Sequence, residues 1–465
     1  MHLARLSPCI SRIRAESSGQ PPPQRRPERR GPVMVHEVTR ARRTDALRLI
    51  AMAMLPTLAQ GPIIRRPYAL RVAAALDSNA WACRALDELR ERYGPGPVLV
   101  SLPGRQALVL LSVEDVHRVL GDTGAAFTAA NKEKTAALSH FEPDAVLITR
   151  GAARKPRRLF NETALDHPAP EHRFHEAFRD AVRQEARPLL RHDTLDWKRF
   201  HAAYQRIVRR IVFGDAARDD ERITELRDEL RGDGNWFMLH RKRHRLRTEL
   251  FVRSQKYLDL PEPGGLARAV RATPAAADVK PVAQMQHWFF AFDAAPIGAY
   301  LALGLLAGRR TEAARARTDH GYLRACVLES QRLWPTSLAI LRDSTVETRW
   351  PGGPPVPAGT AVFFYSSYFH RDARRLPYAD RFEPEAWLDG RAEADWGIAP
   401  FSRGPAECPG RNIVLFTSAT LLAELLRRQW RLSSPHRLGP GRPLPRTVDH
   451  TSLRLTTADH LRMTK

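Results

Sequence analysis

Cysteine is scarce in this chain: four among 465 residues, at Cys9, Cys83, Cys326 and Cys408. No two form a C-x-x-C pair, which argues against a disulfide scaffold and a zinc finger and fits a reducing, cytoplasmic setting. There is no long Lys/Arg block, no RNP motif and no helix-turn-helix signature. The surplus of 74 basic over 51 acidic side chains, net +23, is mostly arginine spread along the chain. It therefore reads as solvated faces, or as a positive face for an acidic protein, and not as a nucleic-acid footprint. A Rossmann fingerprint is also missing, so the chain carries no flavin or nicotinamide domain of its own. No uninterrupted apolar run reaches the roughly 18 residues of a membrane span. The best candidate, residues 46–64, is broken by Arg48, Pro56, Gln60 and Gly61. It reads either as a buried helix or as a weak membrane-surface contact.

What is present suffices for a large core, since 43% of residues are hydrophobic. Residues 1–33 are rich in Arg, Pro, Ser and Gln, a composition that cannot bury a core and is expected to be disordered. Residues 34–465 then form one domain, with Met34 a possible alternative start. Residues 97–112 read as two strands about a Pro-Gly turn. From about Val113 to Arg310 the apolar spacing is helical, as in 174–190 and 203–214. Residues 285–308 are apolar nearly all round, the mark of a central buried helix. Short strands and Pro/Gly turns return from Thr345 to Phe369, and a helix follows from about Gly410. The fold class is mainly α with small β-sheets.

Cys83 and Cys326 read as small buried hydrophobes. Cys408, in "FSRGPAECPGRNIVL", differs. Pro405 and Pro409 restrict its loop, Gly404 and Gly410 permit tight turns, and the following helix aims its amides at the sulfur, favouring thiolate. No histidine in the loop serves as a base. One thiolate does not make a zinc or iron–sulfur site, whereas a haem iron needs only one. Phe401, Gly404, Cys408 and Gly410 match F-x-x-G-x-x-x-C-x-G, and here the chain resembles the cytochrome P450 superfamily. The resemblance implies the fold of that family, a helix-rich prism around one long helix. It also implies haem b with Cys408 as its metal ligand, and Phe401, Gly404 and Gly410 around it.

Three further segments carry the resemblance. Glu329 and Arg332 look like the E-x-x-R pair, with Arg381 in "ADRF" as the third, structural member. "FAFDAAP" occupies the oxygen-activating stretch: Asp293 matches its acid, but Ala294 stands where the family has threonine, and Pro296 is expected to kink or open the helix. Arg157 matches a propionate-binding arginine, with Arg158 or Arg154 in reserve because Ala153 replaces a histidine. Arg342 matches another, while Ala406 replaces a basic residue. The implied activity is a monooxygenase acting on a small hydrophobic substrate. Its electrons would come from a ferredoxin or flavodoxin with an NAD(P)H-dependent reductase, docked near Arg403 and Arg411. The alternatives are a peroxide-driven peroxygenase, a haem-thiolate isomerase or dehydratase, or a non-enzymatic haem sensor. Substrate walls are expected at about 121–141 and 218–253, with Trp236, Phe237 and Met238 as candidates.

Overall fold

A computed structural model describes residues 37–351, 353–434 and 438–458. The Arg/Pro-rich stretch and the alternative start at Met34 lie outside the described residues. Two adjoining hydrophobic cores organise the molecule, one among helices and one around a sheet.

The strands expected at 97–112 are β2 (Val98–Leu102) and β3 (Arg105–Val109), antiparallel with Val98 opposite Val109 and Leu102 opposite Arg105. Gly104 turns the chain with φ +76°, a conformation glycine adopts without steric cost. They join β1 (Thr39–Arg40), β4 (Phe127–Thr128), β6 (Ala339–Ser344) and β7 (Ala361–Tyr365) in a six-stranded sheet of order β1-β2-β3-β7-β6-β4. A second sheet, β5-β9-β8, gathers β5 (Thr194–Asp196), β8 (Trp430–Leu432) and β9 (Arg454–Thr457).

The helices that position the site are α1 (Lys132–Leu138), α2 (Arg154–Ala164), α3 (His175–Leu190), α4 (Trp197–Phe213), α5 (Glu221–Gly234), α6 (Pro281–Ala307), α7 (His320–Leu333) and α8 (Arg411–Leu425). Side-chain caps fix two starts: Asp196 accepts from the Arg199 amide and Asp319 from the Tyr322 amide. Helix α6 runs through the larger core as its uniform apolarity demands, with Phe289, Tyr300, Leu303 and Leu305 buried. Tyr300 donates to the carbonyls of Leu195 and Leu453, tying α6 to the second sheet. This helix is long and apolar enough to cross a membrane by length and hydropathy, against the expectation that no segment would be. Most of it is instead buried inside the protein, as a core helix is. Pro296 sits within α6 without ending it.

Residues 46–64 are neither one buried helix nor wholly exposed. Short helical pieces over Arg43–Leu49, Ile50–Met54 and Leu55–Gln60 bury Ala46, Leu49 and Ala53, and expose Leu47, Leu55 and Leu58.

Candidate haem-thiolate site

The cysteine loop is held by its own backbone. The Cys408 amide donates to the Phe401 carbonyl at 2.9 Å. Gly404 has φ +66°, and a Cβ there would collide with the Leu120 carbonyl oxygen, so only glycine fits. Gly410 is under no such demand: its φ is −88°, and a Cβ would make ordinary contacts with Ala291 and Cys408 Sγ. Burial pushes the Cys408 thiol up; the Gly410 amide, donating to the sulfur, and the charges of Arg158 and Arg411 oppose it without winning. The expected amide-to-sulfur contact is present at Gly410, and desolvation outweighs it.

Cys408 opens into a cavity of about 470 Å³. Helix α6 supplies one wall through His287, Phe290, Ala291, Ala294 and Ala295, spaced i, i+3, i+4, i+7, i+8 along a single face. Phe237 borders the cavity, whereas Trp236 and Met238 are exposed. The segment around α1 contributes Lys134 and Leu138, so part of each expected substrate wall is present.

Around the cysteine end the cavity carries more cations than anions: Arg154, Arg158, Arg342 and Lys134 line it, with Glu133 and Glu407 as the carboxylates. Arg342 is 3% exposed and donates to Thr123 Oγ1, the Leu341 carbonyl and Ser402 Oγ. Among the described residues no carboxylate pairs with it, and burial lowers its pKa to about 10. Arg154 lines the same cavity, reaches only the Pro405 carbonyl and also has no ion pair among the described residues. Arg158 lines it too, tied to Glu162 and the Glu407 carbonyl. Lys134, which the sequence reading missed, borders the cavity; its Nζ donates to the Ala129 carbonyl, and burial lowers its pKa to about 7. Its only sequence signal was a lysine on an otherwise half-apolar short helix.

Other expected residues lie elsewhere. Arg157 does not line the cavity: its guanidinium donates to the Asp144 carbonyl and Thr149 Oγ1, while Arg154 and Arg158 on the same helix border the cavity. Asp293 is buried off the cavity stripe, in ion pairs with Arg227 and Arg231 of α5. Ala294 does face the cavity, and no hydroxyl stands there. Arg381 is exposed, and its guanidinium does not complete the buried cluster. Its carbonyl does so, alongside those of His370, Tyr378 and Ala379, all accepting from Arg332. Glu329 pairs with Arg332 at 2.7 Å and also accepts from the Glu383 amide and Trp387 Nε1. Trp387 thus takes the place given to Arg381. Arg403 and Arg411, expected on a docking face, are engaged locally: Arg403 with the carbonyls of Ala392, Asp395 and Ile398, Arg411 with Glu393 and Glu407.

A family model described as Cytochrome P450 matches residues 305–446, which span Glu329, Arg332 and Cys408 but not α2 or the cavity stripe of α6. Among curated proteins, cyclooctat-9-en-7-ol 5-monooxygenase of Streptomyces melanosporofaciens is 34% identical over 129 residues, 27% of this chain and 26% of that one. Ferruginol synthase of Salvia pomifera is 31% identical over 118 residues, 24% and 26% respectively. The chain spans about a quarter of the length of these relatives. The solved structure of CYP175A1 from Thermus thermophilus superposes with TM-score 0.64 at 18% identity, over 91% of this chain and all of that one. Retinoic acid-bound cyanobacterial CYP120A1 gives 0.64 at 16%, over 80% and 93%. The fold is that of a cytochrome P450. The matched C-terminal third, which contains the cysteine loop, is similar in sequence to the cytochrome P450 superfamily, whose members bind haem iron.

The residues present fit such a group. No cluster of three or more His, Cys, Asp or Glu among the described residues forms a conventional metal site. One half-buried sulfur faces a cavity in which the buried Arg342 and the half-buried Arg154 have no carboxylate partner among the described residues, which is the cationic surround a dianionic porphyrin edge would satisfy.

Proposed function

We propose that the protein is a haem-thiolate monooxygenase that uses haem b, held by Cys408, to insert one atom of O2 into a small apolar substrate. The observation that carries this reading is Cys408 at the floor of a cavity that Ala294 also lines, beside arginines without carboxylate partners. When bound, the haem supplies oxygen activation at the iron, to which a sulfur ligand donates electron density. The chain does the rest. Arg342, Arg154 and Lys134 neutralise the propionates, and Arg158 braces the cysteine loop against α2. Phe290, Ala291 and Ala295 exclude water and leave room for substrate over the iron.

Electrons come from a separate ferredoxin or flavodoxin and its reductase. With Arg403 and Arg411 engaged, the exposed Lys155 and Leu159 of α2 are the better docking contacts behind the loop. The free, buried Cys83 and Cys326 agree with a cytoplasmic setting. A second reading, peroxide-driven oxygenation, rests on Ala294 and on Asp293 being locked by two arginines: neither offers a proton at the cavity. Haem-reconstituted protein assayed for substrate hydroxylation, with O2 plus a ferredoxin/reductase pair or with hydrogen peroxide, tests both. Product with the electron donors supports the monooxygenase, product only with peroxide supports the second reading, and none with either refutes both.

A further inference from the structure

On the cavity stripe of α6, only His287 bears a polar side chain. It lies two helical turns before Ala294, about 10 Å along the axis. Its Nδ1 is 3.0 Å from Oε2 of Glu142, a carboxyl that is fully buried and contributed by the segment after α1. The other Glu142 oxygen, Oε1, is buried with no hydrogen-bond partner. Phe290 stacks beside the imidazole, with ring centroids 6.2 Å apart, and holds its plane. Nε2 makes no hydrogen bond to any described residue, while the ring borders the cavity. A half-buried, oriented imidazole whose outer nitrogen has no partner among the described residues is a built polar point in an otherwise apolar wall.

The proton inventory fixes what that nitrogen offers. A buried pair carrying a net charge is costly, so the Glu142–His287 pair is held neutral. Burial pushes the Glu142 carboxyl up, opposed by His287 and Arg227 and reinforced by Asp293, which favours its protonated form. A proton on the buried, unpartnered Oε1 would have no acceptor, whereas on Oε2 it is given to Nδ1, and this leaves the ring hydrogen on Nε2.

We propose that His287, oriented by Glu142, is a specificity-determining hydrogen-bond donor. It selects substrates that are apolar but carry an acceptor oxygen, such as a ketone, about 10 Å from the carbon that is oxidised. This rests on the haem-thiolate reading for the position of oxidation, but not for the binding preference.

The test compares 6-phenylhexan-2-one with hexylbenzene, the same skeleton without oxygen, on haem-reconstituted protein. Binding is read by ferric spin-state titration and independently by calorimetry. The ketone-to-hydrocarbon affinity ratio should be about tenfold higher in the wild type than in His287→Phe, the range of one partly charge-assisted hydrogen bond. His287→Gln, which keeps a donor, should retain most of the preference. An unchanged ratio in His287→Phe, or a lost ratio in His287→Gln, overturns the proposal. Where His287→Phe does not yield folded holoprotein, His287→Leu takes its place. A wild type that binds the ketone preferentially by calorimetry but lacks a thiolate-ligated haem signal refutes the functional reading and leaves His287's role standing.

Discussion

Arg332 and Arg342 lie ten residues apart, and both guanidiniums are buried, at 0% and 3% exposure. Their surroundings are opposite. Arg332 meets the Glu329 carboxylate and four backbone carbonyls. Arg342 meets two hydroxyls and one carbonyl, with no carboxylate among the described residues. A buried charge is tolerated when its pairing is complete, so the first region is closed and serves the fold. The second is left open on the cavity side, and an incomplete buried charge in a cavity is what an anionic ligand completes. The difference separates a structural arginine from a binding arginine without reference to any relative.

The largest effect that sharpens this contrast is expected at the closed site. Arg332→Met strands Glu329 in the core and should cost about 3–5 kcal/mol, enough to leave little folded protein in a urea titration. A cost below about 1 kcal/mol would mean the cluster is not the brace described. Arg342→Met should do the reverse: the haem-free protein keeps or gains stability, while haem loss to an acceptor protein speeds up by about tenfold, one charge-assisted bond. Equal haem retention would break the comparison. Next comes Ala294→Thr, which restores a hydroxyl on the cavity stripe. The fraction of consumed electrons recovered as product should rise several-fold with O2 and a reductase system.

The smallest effect is a pH slope. Burial lowers the pKa of His370 and His450 from 6.5 to about 3, so both stay neutral in the folded chain while the unfolded chain takes up protons below pH 6.5. Stability therefore falls as pH drops from about 6.5 towards 3. His450→Phe should flatten that fall in thermal melts between about pH 6.5 and 4, and an unchanged slope would show that His450 is not buried neutral.

Local chemistry made much of this legible. The Pro-Gly hairpin, the apolar central helix and the Glu329–Arg332 pair each follow from neighbours in sequence, and each is where its pattern put it. The misreadings share one cause, the direction of a side chain. On α2, motif spacing chose Arg157, but its guanidinium is taken by the Asp144 carbonyl and Thr149 Oγ1, while Arg154 and Arg158 line the cavity. Arg381 sits at the expected position, yet only its carbonyl faces Arg332, and Trp387, further along the chain, reaches the Glu329 carboxylate instead. The charge on Arg403 and Arg411 was legible, but their carbonyl and carboxylate partners were not. Glu142 and His287 are 145 residues apart, and only the packing of α6 against the segment after α1 joins them.

The most direct measurement is the carbon monoxide difference spectrum of the reduced, haem b-reconstituted protein, beside that of Cys408→Ser. Sulfur ligation through Cys408 predicts the red-shifted thiolate band in the wild type and its loss in the variant. A wild type without that band, or a variant that keeps it, would contradict the assignment of Cys408 as the iron ligand.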